Sequence, residues 1–421
     1  SASSGYRQFK GVRMITLLSP SKKLNFKHQD AVSAFTQCDF IESAQELVNQ
    51  AKNLTSQDLK DLMKISDSLA DLNKERFNNW SLPFNQDNAK QAILAFDGGV
   101  YSGLQAETFD QSTIERELKW SSELGMNVHR VYLHNLLWGQ NSEGFLKRIE
   151  LYLSIAAKYE IKTIFVLLDD VWHPEPYLGK QPDPIPHLHN SGWVQAPGAK
   201  ILGDLSRHDE LESYVKGVIS QFANDKRVLL WDLYNEPDNR ATGKERSKLE
   251  LKNKDKYSLA LLKKTYKWAR EVNPSQPLTV GIWRGNISNW GKPDNLPELD
   301  RFMLENSDVI SFHAYDGDLK KVIQKINELK NYNRPLFCTE YLARAVGNTF
   351  EVLLPLFKKE KIAAINWGLV DGKTNTKYPW KSWVIRPSKE PEVWHHDIFR
   401  SDGTPYSRSE VNFIRKMILN N

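Results

Sequence analysis

The stretch STIERELKWSSELGMNVHRVYLH, residues 112–134, sets the pattern of the whole chain. Its first half places apolar residues at helical spacing, opens on a capping-type pair, Ser112 and Glu115, and stops at Gly125. Its second half, NVHRVYLH (127–134), has the branched and aromatic residues of a strand. The same unit then recurs. EGFLKRIELYLSIAAKYE (143–160) reads as a helix and IKTIFVLLDD (161–170) as a strand. After a loop rich in Trp, His, Pro and Gly over 171–206, a helix at 208–225 leads into VLLWDLYNEP (228–237). Helices at 258–273, 297–306, 318–330 and 349–360 alternate with strand-like runs at 277–283, 309–315, 335–343 and 362–370, and a last helix lies near 409–419. Runs rich in Val, Ile and Leu suit parallel strands covered on both faces, and their alternation with helices gives an α/β fold.

Seven such strands leave a closed barrel one short. The apolar run QAILAF (91–96), followed by the turn signal Asp97-Gly98-Gly99, is the candidate eighth. The fold class expected is therefore a (β/α)8 TIM barrel over residues 91–421, with 91–96 pairing in parallel between 127–134 and 362–370. Residues 1–90 form an N-terminal, mainly helical extension, with amphipathic runs over 41–76 expected to pack outside the barrel, away from its mouth.

Composition narrows the function classes. The chain has 421 residues, 40% hydrophobic and 26% charged, the profile of an ordinary globular protein. With 57 Lys and Arg against 52 Asp and Glu, the net charge of +5 is too dilute to argue for nucleic acid. Cys38 and Cys338 make neither a disulfide framework nor a CxxC metal motif. No apolar run approaches the ~20 residues of a membrane span. No GxGxxG or GxxxxGK[ST] sits in a strand–helix turn, which disfavours a dinucleotide or P-loop fold. The opening SASSGYRQFKGVR lacks an apolar signal region, so the compartment stays open: periplasmic or secreted if a leader was removed, otherwise cytoplasmic. Thirteen tryptophans are in clear excess, as in clefts that bind rings and sugars and in large cores.

Catalytic groups in a barrel lie at the C-terminal ends of the strands. Those ends carry Arg130 and His134, Asp169 and Asp170, Asn235 and Glu236, Trp283 and Arg284, His313 and Tyr315, Glu340 and Tyr341, and Asn366 and Trp367. Two carboxylates stand out: Glu236 in Asn-Glu-Pro, and Glu340 after Thr339. Glycoside hydrolysis needs such a pair, one carboxyl kept protonated as an acid and the other ionised as a nucleophile, about 5–5.5 Å apart for retention. Asp170 with Asp169 and Trp172 has two open readings, binding sugar hydroxyls or capping the following loop. Trp193, Trp290, Trp380, Trp383 and Trp394 are candidates for cleft walls, with about two of them expected there. His187, His189, His395 and His396 lack metal spacing and are expected in loop or rim roles.

From about 108 to 416 the chain resembles the clan A glycoside hydrolases, family 5-like and cellulase-type. WDLYNEP matches their strand-four motif and FCTEY their strand-seven motif; NVHRVYL, HAY and NWGL match strands two, six and eight. The resemblance implies Glu236 as acid/base, Glu340 as nucleophile and Asn235 as donor to the sugar 2-hydroxyl. It further implies that Arg130 helps hold the nucleophile ionised, that His313 and Tyr315 lie beside the nucleophile, and that Trp367 is a sugar platform. An oligosaccharide or polysaccharide such as β-mannan or β-glucan is then the substrate, hydrolysed by a retaining, monomeric enzyme with no metal or organic cofactor. The segments at 14–26, 62–80 and 88–109 resemble the N-terminal part of the YaaA peroxide-stress family, so the chain reads as a fusion. Two other readings compete: a non-catalytic carbohydrate-binding barrel, and a YaaA-like DNA-binding stress protein. Against the second, residues 1–115 carry 12 Lys and Arg but 14 Asp and Glu, and the rest of that family's length is missing.

Overall fold

A computed structural model describes the backbone of Leu94–Asp97 and residues 109–419 other than Lys180. All of these belong to one compact unit, Phe84–Asn421. The helical runs at 41–76, the Gly98–Gly99 turn and most of the YaaA-like segment lie outside the described residues.

Eight parallel strands form one sheet: β1 Leu94–Asp97, β2 Val128–Tyr132, β3 Lys162–Val166, β4 Val228–Asp232, β5 Leu278–Thr279, β6 Ile310–His313, β7 Leu336–Tyr341 and β8 Ala363–Trp367. Their order is β5-β4-β3-β2-β1-β8-β7-β6. β1 joins the two ends of the chain's barrel segment, with Ala95 opposite both Val128 and Ile365. Closure falls between β5 and β6, where Asp308 N–H donates to Leu278 O (2.7 Å), Ile282 N–H to Ser311 O (3.0 Å) and His313 N–H to Ile282 O (3.1 Å). The result is a (β/α)8 barrel. Its interior carries Val128, Ile164, Leu230, Val309, Phe337 and Ile365, all buried. Burial of such side chains contributes roughly 1.5–3 kcal/mol each and is the main force holding the strands together.

The outer layer comprises α1 Gln111–Glu123, α2 Asn135–Lys158, α3 Glu212–Phe222, α4 Lys254–Val272, α5 Glu298–Asn306, α6 Leu319–Lys330, α7 Phe350–Glu360 and α8 Arg408–Leu419, with short helical turns in the loops. α4 buries Leu261, Leu262, Thr265, Tyr266, Trp268 and Ala269, one stripe at helical spacing.

Three local readings change. The cap of α1 is Asp110, whose carboxylate accepts from the backbone N–H groups of Ser112 and Thr113, so Ser112 lies inside the helix. Gly125 does end it, at φ +90°, in contact with α8, where an added Cβ would meet Ile418 at 2.8 Å. α2 starts at Asn135 rather than 143, capped by the His134 ring. It breaks at Asn141 (φ −165°, ψ 91°), whose side chain accepts from Gly144 N–H and restarts the helix where the periodicity begins. β5 keeps only two ladder residues of the expected 277–283, because beyond Thr279 the backbone pairs only through an isolated bridge, Ile282 to Phe312 of β6.

Candidate active site

Strand alternation sends Arg130 and Tyr132 to the same face of β2. Arg130 is fully buried and forms the hub of the mouth. Its Nε and Nη2 donate to Asp232 Oδ2 (3.0 and 2.8 Å), Nη2 to Asn235 Oδ1 (2.9 Å), and Nη1 to Tyr132 Oη (2.7 Å) and Glu340 Oε1 (3.1 Å). Because its oxygen faces Arg130, the Asn235 amide turns its nitrogen to Asp169 Oδ1 (3.0 Å). That leaves the second N–H of this amide for a ligand, and Asn235 lines the cleft.

Glu340, at the end of β7, accepts from three groups: Arg130, Tyr132 Oη at Oε1 (3.1 Å), and Tyr315 Oη at Oε2 (2.8 Å). Glu236 follows β4 with φ +42°, a left-handed conformation that a non-glycine residue holds only when its surroundings impose it. Its Oε2 accepts from the Asn239 side chain, and its Oε1 lies 2.6 Å from His313 Nδ1. Burial pushes the Glu236 carboxyl up to about 7, against the Asn239 amide and the charges of Arg130 and Lys325. One oxygen of Glu236, one of Glu340 and a nitrogen of His313 lie within 4.8 Å of one another.

His313 therefore sits between the carboxylates. Its Nδ1 is bonded to Glu236 Oε1 (2.6 Å) and lies 3.5 Å from Glu340 Oε2, so the ring stands beside Glu340, as the resemblance implies, and beside Glu236 as well. Burial lowers its pKa to about 4, which makes it a neutral ring at pH 7. Glu236, His313 and Glu340 are also the one trio of metal-ligand groups this close among the described residues. Their ligand atoms are already engaged with one another and with the Arg130 guanidinium, a poor setting for a cation.

Both carboxylates open into a cleft of about 260 Å³ lined by Trp172, Trp193, Trp367, Trp380 and Trp383 among others. Trp172 stacks on Trp383 (5.6 Å, 20°), and Trp367 meets Trp193 edge-on (5.5 Å, 60°). Of the five tryptophans named as wall candidates, three are on the cleft; Trp290 and Trp394 are buried elsewhere, the latter stacked on Tyr406.

Asp170 is a correction. It is absent from the cleft lining, and its carboxylate accepts from Tyr234 Oη (2.7 Å), Ser258 Oγ (2.6 Å) and Asp238 N–H (2.7 Å). Its side chain is 1% exposed, so no sugar hydroxyl reaches it; it anchors the loop after β4. Asp169 instead supports the site, accepting from Asn235 and from Trp193 Nε1 (2.6 Å). Sequence reading also passed over Asp232 and Tyr132, which hold Arg130 and Glu340.

Residues 103–373 match the family profile Cellulase (glycosyl hydrolase family 5). The chain belongs to glycosyl hydrolase family 5. This family 5 glycosidase also carries, over residues 14–119, a match to the profile Peroxide stress protein YaaA. Among solved structures, an endo-1,4-β-mannanase from Rhizomucor miehei is 14% identical, over 67% of this chain and 86% of its own, with a TM-score of 0.46. The β-mannanase of the blue mussel Mytilus edulis is 15% identical, over 70% and 90%, with a TM-score of 0.48. A GH5_18 protein of Streptomyces cattleya, solved with Manβ1-4GlcNAc, is 11% identical, over 79% and 81%, with a TM-score of 0.50; at that identity it shares the fold. No helix among the described residues is long and apolar enough to cross a membrane.

Proposed function

We propose that this family 5 glycosidase hydrolyses β-linked glycans, such as β-mannan, β-glucan or a similar plant polysaccharide, with net retention by double displacement. The carboxylate pair carries the reading: oxygens of Glu236 and Glu340 within 4.8 Å fit the short spacing of retaining enzymes, about 5–5.5 Å, and not the wider gap that holds a water. In the first step a Glu340 oxygen bonds to the anomeric carbon. The glycosidic C–O bond breaks, its electron pair goes to the leaving oxygen, and that oxygen takes the proton of Glu236. In the second step Glu236 removes a proton from water, the water oxygen bonds to the anomeric carbon, and Glu340 departs as carboxylate. One water is consumed per bond cut.

The surroundings suit these roles. The raised pKa of Glu236 leaves a large protonated fraction near neutrality, as an acid requires. Three donors converging on Glu340 hold its carboxyl group in place for attack. Neutral His313 orients Glu236, the free N–H of Asn235 meets a sugar hydroxyl, and Trp367 and Trp172 supply ring platforms. We take the barrel to run from residue 91 to 421 as a monomeric unit, with 1–90 as an extension. The test is a pair of variants with product stereochemistry read by NMR. Glu340→Ala should lose nearly all turnover and regain some with azide, giving an inverted glycosyl azide. Glu236→Ala should keep activity only on glycosides with good leaving groups. An inverted sugar from the unaltered enzyme, or an identical response of both variants, refutes the assignment.

A further inference from the structure

Lys254 opens α4 and is fully buried. That placement runs against both of the usual rules for a cation. A buried ammonium is costly without partners, and the N-terminus of a helix carries partial positive charge, so an acidic residue is the favoured one there. The preceding residue, Asn253, is left-handed at φ +53° and its side chain does not cap the helix. The Lys254 ammonium therefore serves something other than its own helix.

Its partners show what that is. Nζ donates to Asn239 O (2.6 Å), Asp170 O (3.0 Å) and Gln195 Oε1 (3.1 Å), with Glu250 Oε2 at 3.0 Å as the balancing anion. The Glu250 carboxylate in turn accepts from Ala241 N–H (2.6 Å) and from Gln195 Nε2 (3.2 Å). The two side chains are 0% and 4% exposed. This dry ion pair joins the start of α4 to the loops after β3 and β4.

Asn239 is the end of the tie that touches the site. Its N–H donates to Glu236 O (2.9 Å), and its Oδ1 accepts from Arg240 N–H (2.6 Å), which turns the amide nitrogen toward Glu236 Oε2. Between them the turn holds two non-glycine residues in the left-handed region, Glu236 at φ +42° and Asp238 at φ +71°, and such a turn keeps its shape only while its surroundings impose it. Asp170 holds the Asp238 N–H, Trp283 Nε1 holds the Pro237 carbonyl (3.2 Å), and Lys254 holds the carbonyl of Asn239 itself. The charged and titratable groups that face Glu236 come from other elements: Arg130 of β2, Asp169 after β3, His313 of β6, Lys325 of α6 and Glu340 of β7. The path from Lys254 to Glu236 runs through Asn239.

Resting on the glycosidase reading above, we infer that Lys254 is a positioning residue for the acid/base: its buried ammonium, balanced by Glu250, fixes the Asn239 carbonyl and so keeps the Asn239 amide on Glu236. The test uses the full chain carrying Lys254→Met together with Glu250→Gln, so that neither charge of the pair is left buried alone, and the same pair in an Asn239→Ala background. kcat/KM is followed from about pH 5 to 9 on an aryl β-glycoside with a poor leaving group and on its 2,4-dinitrophenyl counterpart, beside thermal unfolding. Expected are a loss of about 10- to 100-fold on the poor leaving group, a change of less than about threefold on the activated one, and an alkaline limb displaced upward as in Asn239→Ala. In the Asn239→Ala background the pair adds nothing to the loss or to the displacement. The same signature is expected of Lys254→Arg, which keeps a cation beside Glu250 but replaces the ammonium point by a longer, planar group, and it carries the test alone if the pair does not fold. Equal losses on both substrates, an unmoved limb, or effects that add to those of Asn239→Ala overturn the role of Lys254 while leaving a glycosidase. An unaltered enzyme with the same limb on both substrates, or with no cleavage of either, overturns the reading of Glu236 and this inference with it.

Discussion

Replacing Asn239 by alanine should move the alkaline limb of the pH–rate profile upward. The Asn239 amide donates to Glu236 Oε2 and is one of the groups holding that carboxyl down against the effect of burial. A hydrogen bond to a charged acceptor contributes about 1.5–3 kcal/mol when dry. Glu236 is only 8% exposed, but Asn239 is half-buried, so water replaces part of the lost bond. Taking about half, roughly 1.1 kcal/mol, gives a change of about six- to sevenfold in acidity. The sign follows from what is removed: losing a donor to the anion disfavours the anion, and the pKa rises. Glu236 must be protonated in the first step, so activity falls above its pKa, and the limb near 7 should shift up by about 0.8 of a pH unit. The assay is kcat/KM from about pH 5 to 9 on a glycoside with a poor leaving group. A 2,4-dinitrophenyl glycoside, whose departure needs no proton, is the control and should show little alkaline limb with either protein. A limb that stays put or moves down in Asn239→Ala, or one that persists with the activated substrate, refutes Glu236 as the acid.

Three further outcomes are expected. Tyr315→Phe removes the 2.8 Å donor to Glu340 and should lower kcat/KM by ~10- to 100-fold with thermal stability nearly unchanged; a large loss of stability would make the residue structural. Arg130→Met leaves Asp232 and Glu340 buried without their cation and should cost about 3–5 kcal/mol in urea unfolding; a normal midpoint would contradict the hub. Burial pushes the Asp397 carboxyl up to about 7, so between about 4 and 7 the folded protein holds a proton that the unfolded chain releases, and stability falls as pH rises through that window. Asp397→Asn has no such titration, and its stability relative to the parent should improve by about 2 kcal/mol between pH 5 and pH 7; an equal difference at both pH values counts against it.

The barrel was legible because both of its signals are local. Helical periodicity and short branched runs are set by which face each element buries, and they survive in sequence at almost every unit. The misplaced boundaries lie where a side chain replaced the usual signal. His134 caps α2 in place of Ser or Asp, and Asn141 breaks and restarts it, so periodicity alone detected only the second half. β5 continues as an apolar run beyond the point where its backbone leaves the ladder, and apolar character does not record hydrogen-bond partners.

The site divides in the same way. Glu236 and Glu340 are visible because a carboxylate at the end of an apolar strand has no place in the core. Asp169 and Asp170 are harder: both are acidic, both follow β3 closely, and alternation sends their side chains to opposite sides. One supports Asn235 and Trp193, and the other ties down Tyr234, Ser258 and the backbone of Asp238. Sequence gives the alternation but not its phase beyond Val166, where the regular ladder of β3 ends and only an isolated bridge, Asp169 to Asn235, continues it. Asp232 and Tyr132 carried a usable signal. Each stands at the end of its β-strand, and Tyr132 is two residues from Arg130, the spacing that puts two side chains on one face. A buried guanidinium reaching the Glu340 carboxylate needs a second anion to balance it, and the acidic residue four positions before Glu236, on β4, two strands from β2, was the available one. His189 and His396, expected in loop or rim roles, line the cleft, but the groups that fix their ring nitrogens are backbone carbonyls, which no side-chain pattern records.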